Sequence, residues 1–445
     1  MSSDLLQIGA SGTRAYQAAM GAIADNIANA ETPGYSRRTI ALSESAAGNS
    51  PMLLYKSSAS FYGVQIGGVV RASDQYLEAA ARQTTNALGS VNQRARWMSD
   101  IQTALNDGEL GVGQRFTGMF AAVERLASNP TDTTLQADVL FSFEQINAAF
   151  QQSHNDLVSI RSSIGNTATN EVDSLNDALR QLGNANEGLR RVPEGTASHA
   201  SLLDSRDQAL SEIAERLNVT VTFGANGVAN ISYGSDMLVE NNQVKTLTVS
   251  QAADGILSFG LADGTAIATP TGGALGGIAT SAEVVRDRID ALNDLASRYV
   301  SEMNDWHTSG YSSPGVAGQT LLSMGADASS LSVLVSSPAL VARFSADGTA
   351  NGNLLAMTAL RGSGSIEDEW TGIIATHGSI ANSTTKEQTA AESRNTMAQQ
   401  ARADVAGINL DREAAELIRL QQAYQASSRV IQVAREMFQT LISAF

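Results

Sequence analysis

Four histidines, His154, His199, His307 and His377, are the side chains of this 445-residue chain best suited to hold a metal or carry a proton. They lie far apart, and none has a second histidine at the spacing that sets two imidazoles on one helix face. His154 sits beside an apolar stripe, where a flanking helix residue is the plainer reading. There is no cysteine, so thiolate nucleophiles, thiolate metal sites and disulfides are all absent. No G-x-S-x-G elbow occurs. Lys56, Lys245 and Lys386 each lack the preceding glycine of a phosphate-cradling loop, and Gly111-Val112-Gly113 lacks the third glycine of a dinucleotide turn. The acidic repeats do not match a calcium-binding loop. Glu367, Asp368 and Glu369 follow Ser365 as a capped first turn, where carboxylates suit the helix dipole better than paired acid–base work. Asp204, Arg206 and Asp207 read as a solvated or locally paired helix start. The expectation is a protein that is not an enzyme, with no catalytic, cofactor-binding or metal residues.

Composition points the same way. A formal charge of −16 argues against non-specific binding to nucleic acid or to an anionic membrane. The basic pairs Arg37-Arg38 and Arg190-Arg191 are too short to track phosphates. With 43% hydrophobic residues the chain can build real cores. No stretch reaches the length of a membrane span, and the opening MSSDLLQIGASG lacks a basic region and an apolar run of secretory length. A soluble protein without membrane insertion or a cleaved signal peptide is expected.

Periodicity supplies the elements. Leu5, Ile8, Tyr16, Met20, Ile23, Ile27 and Ala30 recur at helical spacing, with Gly12 in line. The stripe meets NIANAETPGYSRR, where Pro33 forbids a further turn and Gly34 permits positive φ, so the helix should end near Ala30 or Glu31. Asn26 and Asn29 are placed for polar contacts at that corner, and Thr32, Pro33, Gly34 and Tyr35 for the turn. SRRTIAL and GVQIGGVVR alternate as strands do. A helix capped by Ser73 should run to about Asn106. A very long helical pattern opens at Thr131, with Phe143, Phe150, Leu157 and Ile164 at sevens and Gly165 and Gly183 as candidate breaks. Alternation then takes over near Asn218, with Ala225-Asn226-Gly227 as a turn, and helical spacing returns at Ser281. That stretch, 218–281, reads as one small β domain, separable because it enters at Asn218 and leaves at Gly276-Gly277. At the C-terminus Leu417, Tyr424, Ile431, Phe438 and Phe445 form one column at sevens; Leu420, Ser427, Ala434 and Leu441 form a second. With no glycine or proline after Gly407, one helix of roughly 57 Å is expected, and its stripe needs another helix to cover it.

These terminal stretches, NIANAETPGYSRR and GINLDREAAELIRLQQAYQASSRVIQVAREMFQTLISAF, resemble those of the axial proteins of the bacterial flagellum. Within that group GVQIGGVVRASDQYL, LASNPTDTT, LLDSRDQAL, NVTVTFGANG and NGNLLAMTAL resemble the hook-associated family that joins hook to filament. The resemblance implies a mainly α fold with an inserted small β domain: terminal helices paired as a coiled coil, a long-helix bundle body and a β-rich outer domain. Boundaries follow: 1–60 with 396–445 as the inner-tube domain, 61–217 with 282–395 as the bundle, and 218–281 as the β domain. Leu5, Ile8, Met20, Ile23, Ile27, Leu417, Leu420, Tyr424, Ile431, Phe438 and Leu441 would form the assembly interface, with Ile431 facing Met20, Ile23 and Ile27. For Asp204, Arg206 and Asp207 the resemblance implies, as the alternative to a solvated helix start, an ion pair stabilising the body. Implied partners are further copies of the chain in a ring or helical lattice, hook protein, hook-associated protein 3 as second junction protein, and a flagellar export chaperone. The implied location is extracellular, after type III export.

Two rival readings differ in kind. Another axial subunit, of rod or hook, would share the terminal stretches but not LLDSRDQAL. A secreted adhesin would bind its ligand through the β domain, yet Phe223, Tyr233 and Phe259 are few for a sugar platform.

Overall fold

Helix α1 (Ser2–Ala28) carries its apolar residues every third or fourth position and ends five residues before Pro33, slightly earlier than the expected Ala30 or Glu31. A computed structural model describes residues 2–45, 63–105 and 108–443. Past Ala28 the Thr32 amide donates to Asn29 O and the Tyr35 amide to Thr32 O, two successive turns closed by Gly34 at φ 79°. The chain then enters β1 (Arg38–Glu44), which pairs antiparallel with β2 (Val64–Arg71) from Arg38↔Arg71 to Glu44↔Val64, with an irregularity after Ala41.

Helix α2 (Gln75–Leu105) is capped by Asp74 rather than by the expected Ser73. The Asp74 Oδ1 accepts from the Tyr76 and Leu77 amides at 2.8 and 3.2 Å, and a carboxylate there also suits the dipole. Helix α3 (Val112–Ser128) was not anticipated; Gly111-Val112-Gly113 is its opening. Asp132 caps α4 (Thr133–Arg191), whose 59 residues make it about 89 Å long. The heptad residues Phe143, Phe150, Leu157 and Ile164 are all fully buried. Gly165 and Gly183 do not break this helix. A Cβ on Gly165 would lie 2.2 Å from Gln251 Oε1, and one on Gly183 2.7 Å from Val244 Cγ2, so each glycine lets a strand segment approach the helix backbone.

After α5 (Ala197–Arg216), capped by Thr196, the strands β3 (Thr220–Phe223), β4 (Ala229–Tyr233), β5 (Asp236–Glu240) and β6 (Gln243–Val244) form one antiparallel sheet. Asn226 at φ 53° and Gly227 at φ 77° make the β3–β4 turn. Strands β7 (Leu247–Gln251), β8 (Leu257–Leu261) and β9 (Ala266–Ile267) form a second, three-stranded sheet. The two sheets belong to different compact units: 1–86 with 174–246 and 392–445, and 87–173 with 247–391. The alternating stretch 218–281 is therefore two sheets, each laid on its own portion of α4, because alternation marks strands without saying which of them pair. In the first unit the buried Asn186 amide on α4 donates to Ala229 O and Asn241 O and accepts from the Ala229 amide, tying the sheet down. In the second, Gln251 donates to Arg161 O at 2.9 Å.

Helix α6 (Gly273–Ser309) begins well before Ser281. Gly276 and Gly277 lie inside it, and a Cβ on Gly277 would fall 2.2 Å from Ser90 O of α2, so the glycines serve close packing and not a hinge. Tyr299 of α6 stacks on Phe150 (5.7 Å, 22°) and meets Phe116 edge-on (5.4 Å, 75°) at the centre of the second unit. Short helix α7 (Gly352–Ala356) precedes α8 (Ile366–Ala406), whose Ser365 cap accepts from the Asp368 amide as its sequence implies. Asn409 caps α9 (Leu410–Ser443), 34 residues and about 51 Å long. The fold is mainly α, with a long C-terminal helix and small β sheets in its middle.

Candidate assembly interface

The two terminal helices pair antiparallel within the first unit. A Cβ on Gly9 would sit 2.6 Å from Ile431 Cγ1, one on Gly12 would sit 2.8 Å from Ser427 Oγ, and Asn26 bonds Glu413. The seam on α1 is Gly9, Gly12, Ala15, Ile23 and Asn26; on α9 it is Glu413, Leu420 and Ala434, with Ser427 between. Small residues at the centre let the backbones come close, and the larger Ile23 and Leu420 fill the seam beyond them.

This geometry changes two expectations. The antiparallel direction sets Ile431 opposite Gly9, toward the other end of α1 from Met20, Ile23 and Ile27. The bulky column of α9 also lies at the margin of the pair and not at its centre: Leu417 and Ile431 are half-buried, Tyr424 is 37% exposed and Phe438 50% exposed. On α1, Ile8 and Met20 are half-buried, while Leu5 and Ile27 are exposed. Ile418, Val430, Val433, Met437 and Ile442 add to the uncovered apolar surface of α9. Phe445 and the side chain of Leu441 lie outside the described residues.

A buried polar corner closes the pair at one end. Asn26 is fully buried and fully bonded: its Nδ2 donates to Arg38 O (2.9 Å) and Glu413 Oε2 (3.0 Å). Its Oδ1 accepts from the Arg38 amide (2.9 Å) and the Tyr35 hydroxyl (3.1 Å). Glu413, itself buried, takes its second partner from Arg37 Nε at 2.6 Å. Desolvation at this corner raises the Tyr35 phenol above its ordinary value, so the phenol stays a donor. Asn29 stays local, donating to Asp25 O and accepting from Thr32. A Cβ on Gly34 would lie 3.3 Å from Gln208 Oε1 of α5, so the glycine lets the turn sit close to that side chain.

Behind the corner runs an ion network. Asp204 binds Arg38 (2.7 Å) and Arg71 (2.6 Å), while Asp207 binds Arg71 (2.6 Å) and Arg206 (2.7 Å). Arg206 also donates to Gly227 O at 2.6 Å, which joins α5 to the β3–β4 turn. Removing one member of such a buried set strands its partners and costs about 3–5 kcal/mol. The residues that sequence reasoning missed here are Arg37, Arg38, Arg71 and Glu413. Arg37-Arg38 reads in sequence only as a pair too short to track phosphates, and nothing local singles out the other two.

The histidines are spread through the fold. His154 Nε2 lies 3.6 Å from Asp327, and His199 Nε2 lies 3.2 Å from Asn226 O. His307 lies between Gln319 O at Nδ1 and the Ala342 amide at Nε2, and His377 lies 2.8 Å from Met98 O. Among the described residues no group of three or more His, Cys, Asp or Glu side chains is placed to hold a metal, and no helix is long and apolar enough to cross a membrane. Tyr233 and Phe259 are buried, and Phe223 lies under the Arg206 guanidinium, so these aromatics build no open platform.

Comparison with known proteins bears on all of this. Residues 98–322 match the family model of the flagellar hook-associated protein FlgK helical domain. Residues 6–35 match that of the flagella basal body rod protein, and residues 399–444 that of the flagellar basal body rod FlgEFG protein C-terminal region. Flagellar hook-associated protein 1 of Escherichia coli (strain K12) is 26% identical over 335 residues, 73% of this chain and 60% of the relative. The protein of the same name from Bacillus subtilis (strain 168) is 22% identical over 485 residues, 96% of each. The matched stretch thus spans about 60% of the length of the Escherichia coli relative. A solved structure of the flagellar hook junction protein FlgK from Burkholderia pseudomallei aligns at a TM-score of 0.49 and 22% identity, covering 57% of this chain and 47% of that one.

Proposed function

We propose, from the premise that this chain belongs to the flagellar hook-associated protein FlgK family, that it is a structural subunit joining hook to filament. On this reading the chain is exported unfolded by the flagellar type III apparatus and assembles outside the cell at the hook–filament junction. A flagellar export chaperone covers the apolar stripe of α9 beforehand. Its partners are further copies of itself, hook protein and hook-associated protein 3. No catalysis or cofactor enters.

One observation carries the reading. The terminal pair buries one column of α9 against α1 and leaves a second, bulkier column only partly covered, with Tyr424 and Phe438 exposed on it. An apolar row of this length on a soluble chain needs a partner, and a lattice supplies one to every subunit. Leu5, Ile27, Tyr424 and Phe438 would then make contacts between subunits. Gly9, Gly12, Ala15, Leu420 and Ala434 would hold the pair itself, with Asn26, Asp204, Arg206 and Asp207 stabilising its base.

The separation of roles makes the test clean. Phe438→Asp, on the exposed column, should leave monomer thermal unfolding unchanged. Cells carrying it should export the protein and build hooks, yet lack filaments and shed flagellin into the medium. Normal filaments at normal protein level would refute the assembly role.

A further inference from the structure

In the first unit, α2, α5 and the β3–β4 turn line an open cavity of about 380 Å³, walled by Arg71, Arg82, Arg206, Glu78, His199 and Phe223 among others. Its three guanidiniums are in different states. Arg206 is committed to Asp207, to Gly227 O and to the Phe223 ring, 4.8 Å beneath it. Arg71, with its side chain only 5% exposed, binds Asp204 and Asp207 but leaves Nη2 without a partner. Arg82 forms no hydrogen bond and no ion pair among the described residues, although it is half-buried between this cavity and a second one of about 290 Å³. Desolvation lowers its pKa, although the nearby carboxylates of Asp207 and Glu78 oppose that shift.

The carboxylates nearby are already taken. Glu78 is bound by Arg402 at 2.8 Å, while Arg38, Arg71 and Arg206 share Asp204 and Asp207. Three guanidiniums to two carboxylates leave this inner set one positive charge in excess before Arg82 is counted. That excess is local to a chain whose formal charge is −16. Glu194, exposed at the cavity, offsets one charge and would repel a dianion. We propose that this cavity binds a single carboxylate through Arg82, offered either by a small organic acid or by a glutamyl side chain of a second copy of the chain. The planar fork of Arg82 matches a carboxylate in two parallel bonds, and Phe223 and Leu203 give its carbon stem an apolar wall.

Titration calorimetry on the full chain tests this, with N-acetylglutamate α-amide as probe and its glutamine counterpart as neutral isostere. The acid should bind and the amide should not. Arg82→Gln should lose about tenfold or more in affinity, as expected for a charge-assisted pair, and Arg82→Lys should lose less. Without probe, Arg82→Gln should melt no lower than the wild type, since it removes an unpaired cation. The assembled protein then identifies the source: exclusion of the probe on assembly indicates a neighbouring copy's side chain, and unchanged binding indicates a free acid. Absence of binding, equal binding of the amide, equal affinity in Arg82→Gln, or a lower melting temperature for that variant would each overturn the proposal.

Discussion

Asn26 shows what one residue can announce and what it cannot. Its position seven residues before the proline stop at Pro33 marks it for polar contacts, and it makes four hydrogen bonds. Its most distant partner, Glu413, was invisible, because a lone glutamate in the first turn of a helix normally caps the dipole and faces water. Burial reverses that reading only once Arg37 and Asn26 are brought to it from the other end of the chain. The DSRD stretch reads by itself as a solvated, locally paired helix start, and its network stays hidden because Arg71 ends a strand with no local sign of burial. His307 and His377 make a prediction at this scale. Burial lowers both pKa values below 6.5, although hydrogen bonds to Gln319 O and Met98 O oppose it; nearby Arg288 lowers His377 further. The unfolded chain therefore takes up protons more readily over the interval from 6.5 down to the lowered values, so stability is full above that interval and falls as pH drops through it. Thermal unfolding followed from pH 7.5 to 5 should show a falling midpoint, and the double variant His307→Gln, His377→Gln should flatten that fall.

Among elements, the clearest departure lies in the helix pair. Apolar bulk made Leu417, Tyr424, Ile431 and Phe438 the evident seam of α9, yet the column of Glu413, Leu420, Ser427 and Ala434 sits inside. The reason lies on α1: Gly9 and Gly12 remove side-chain volume, so Ile431 Cγ1 and Ser427 Oγ press against the α1 backbone there while Tyr424 and Phe438 stay outside. Hydrophobic periodicity reports how much surface wants cover, and the opposing helix decides which column gets it. Gly12→Val should force the backbones apart at Ser427 and destabilise the pair by about 1–3 kcal/mol. Hydrogen exchange should show the amides of α1 and α9 losing protection together, while α3 and α6 keep theirs. The long helix α4 was read well because its stripe is continuous; its glycines were misread because a docking surface and a break look alike in one dimension.

At the level of the whole molecule, the sheets are built into the body. Ile231, Leu238 and Val239 are fully buried in the first unit, and Leu275 and Ile278 of α6 in the second. Turn-rich flanks had suggested a separable insert over 218–281, but the body uses both sheets and the opening turns of α6 as core. Replacing residues 219–280 by a Gly/Ser linker should therefore abolish cooperative unfolding of both units by circular dichroism, where a true insert would leave the helical signal and its melting intact. Fold class and the long helices were legible because they rest on local periodicity. The partition into units was not, because it depends on pairings far apart in the chain.

The Asn26–Glu413 bond closes a sequence separation of 387 residues. A chain appearing from its N-terminus presents α1 first, yet α1 must wait for the arrival of α9. Closing so long a loop carries a large entropic cost unless the intervening body has already drawn the ends together. The first helix to appear is thus the last to dock, and folding order runs inward-out: α3, α4 and α6 early, the terminal pair at the end.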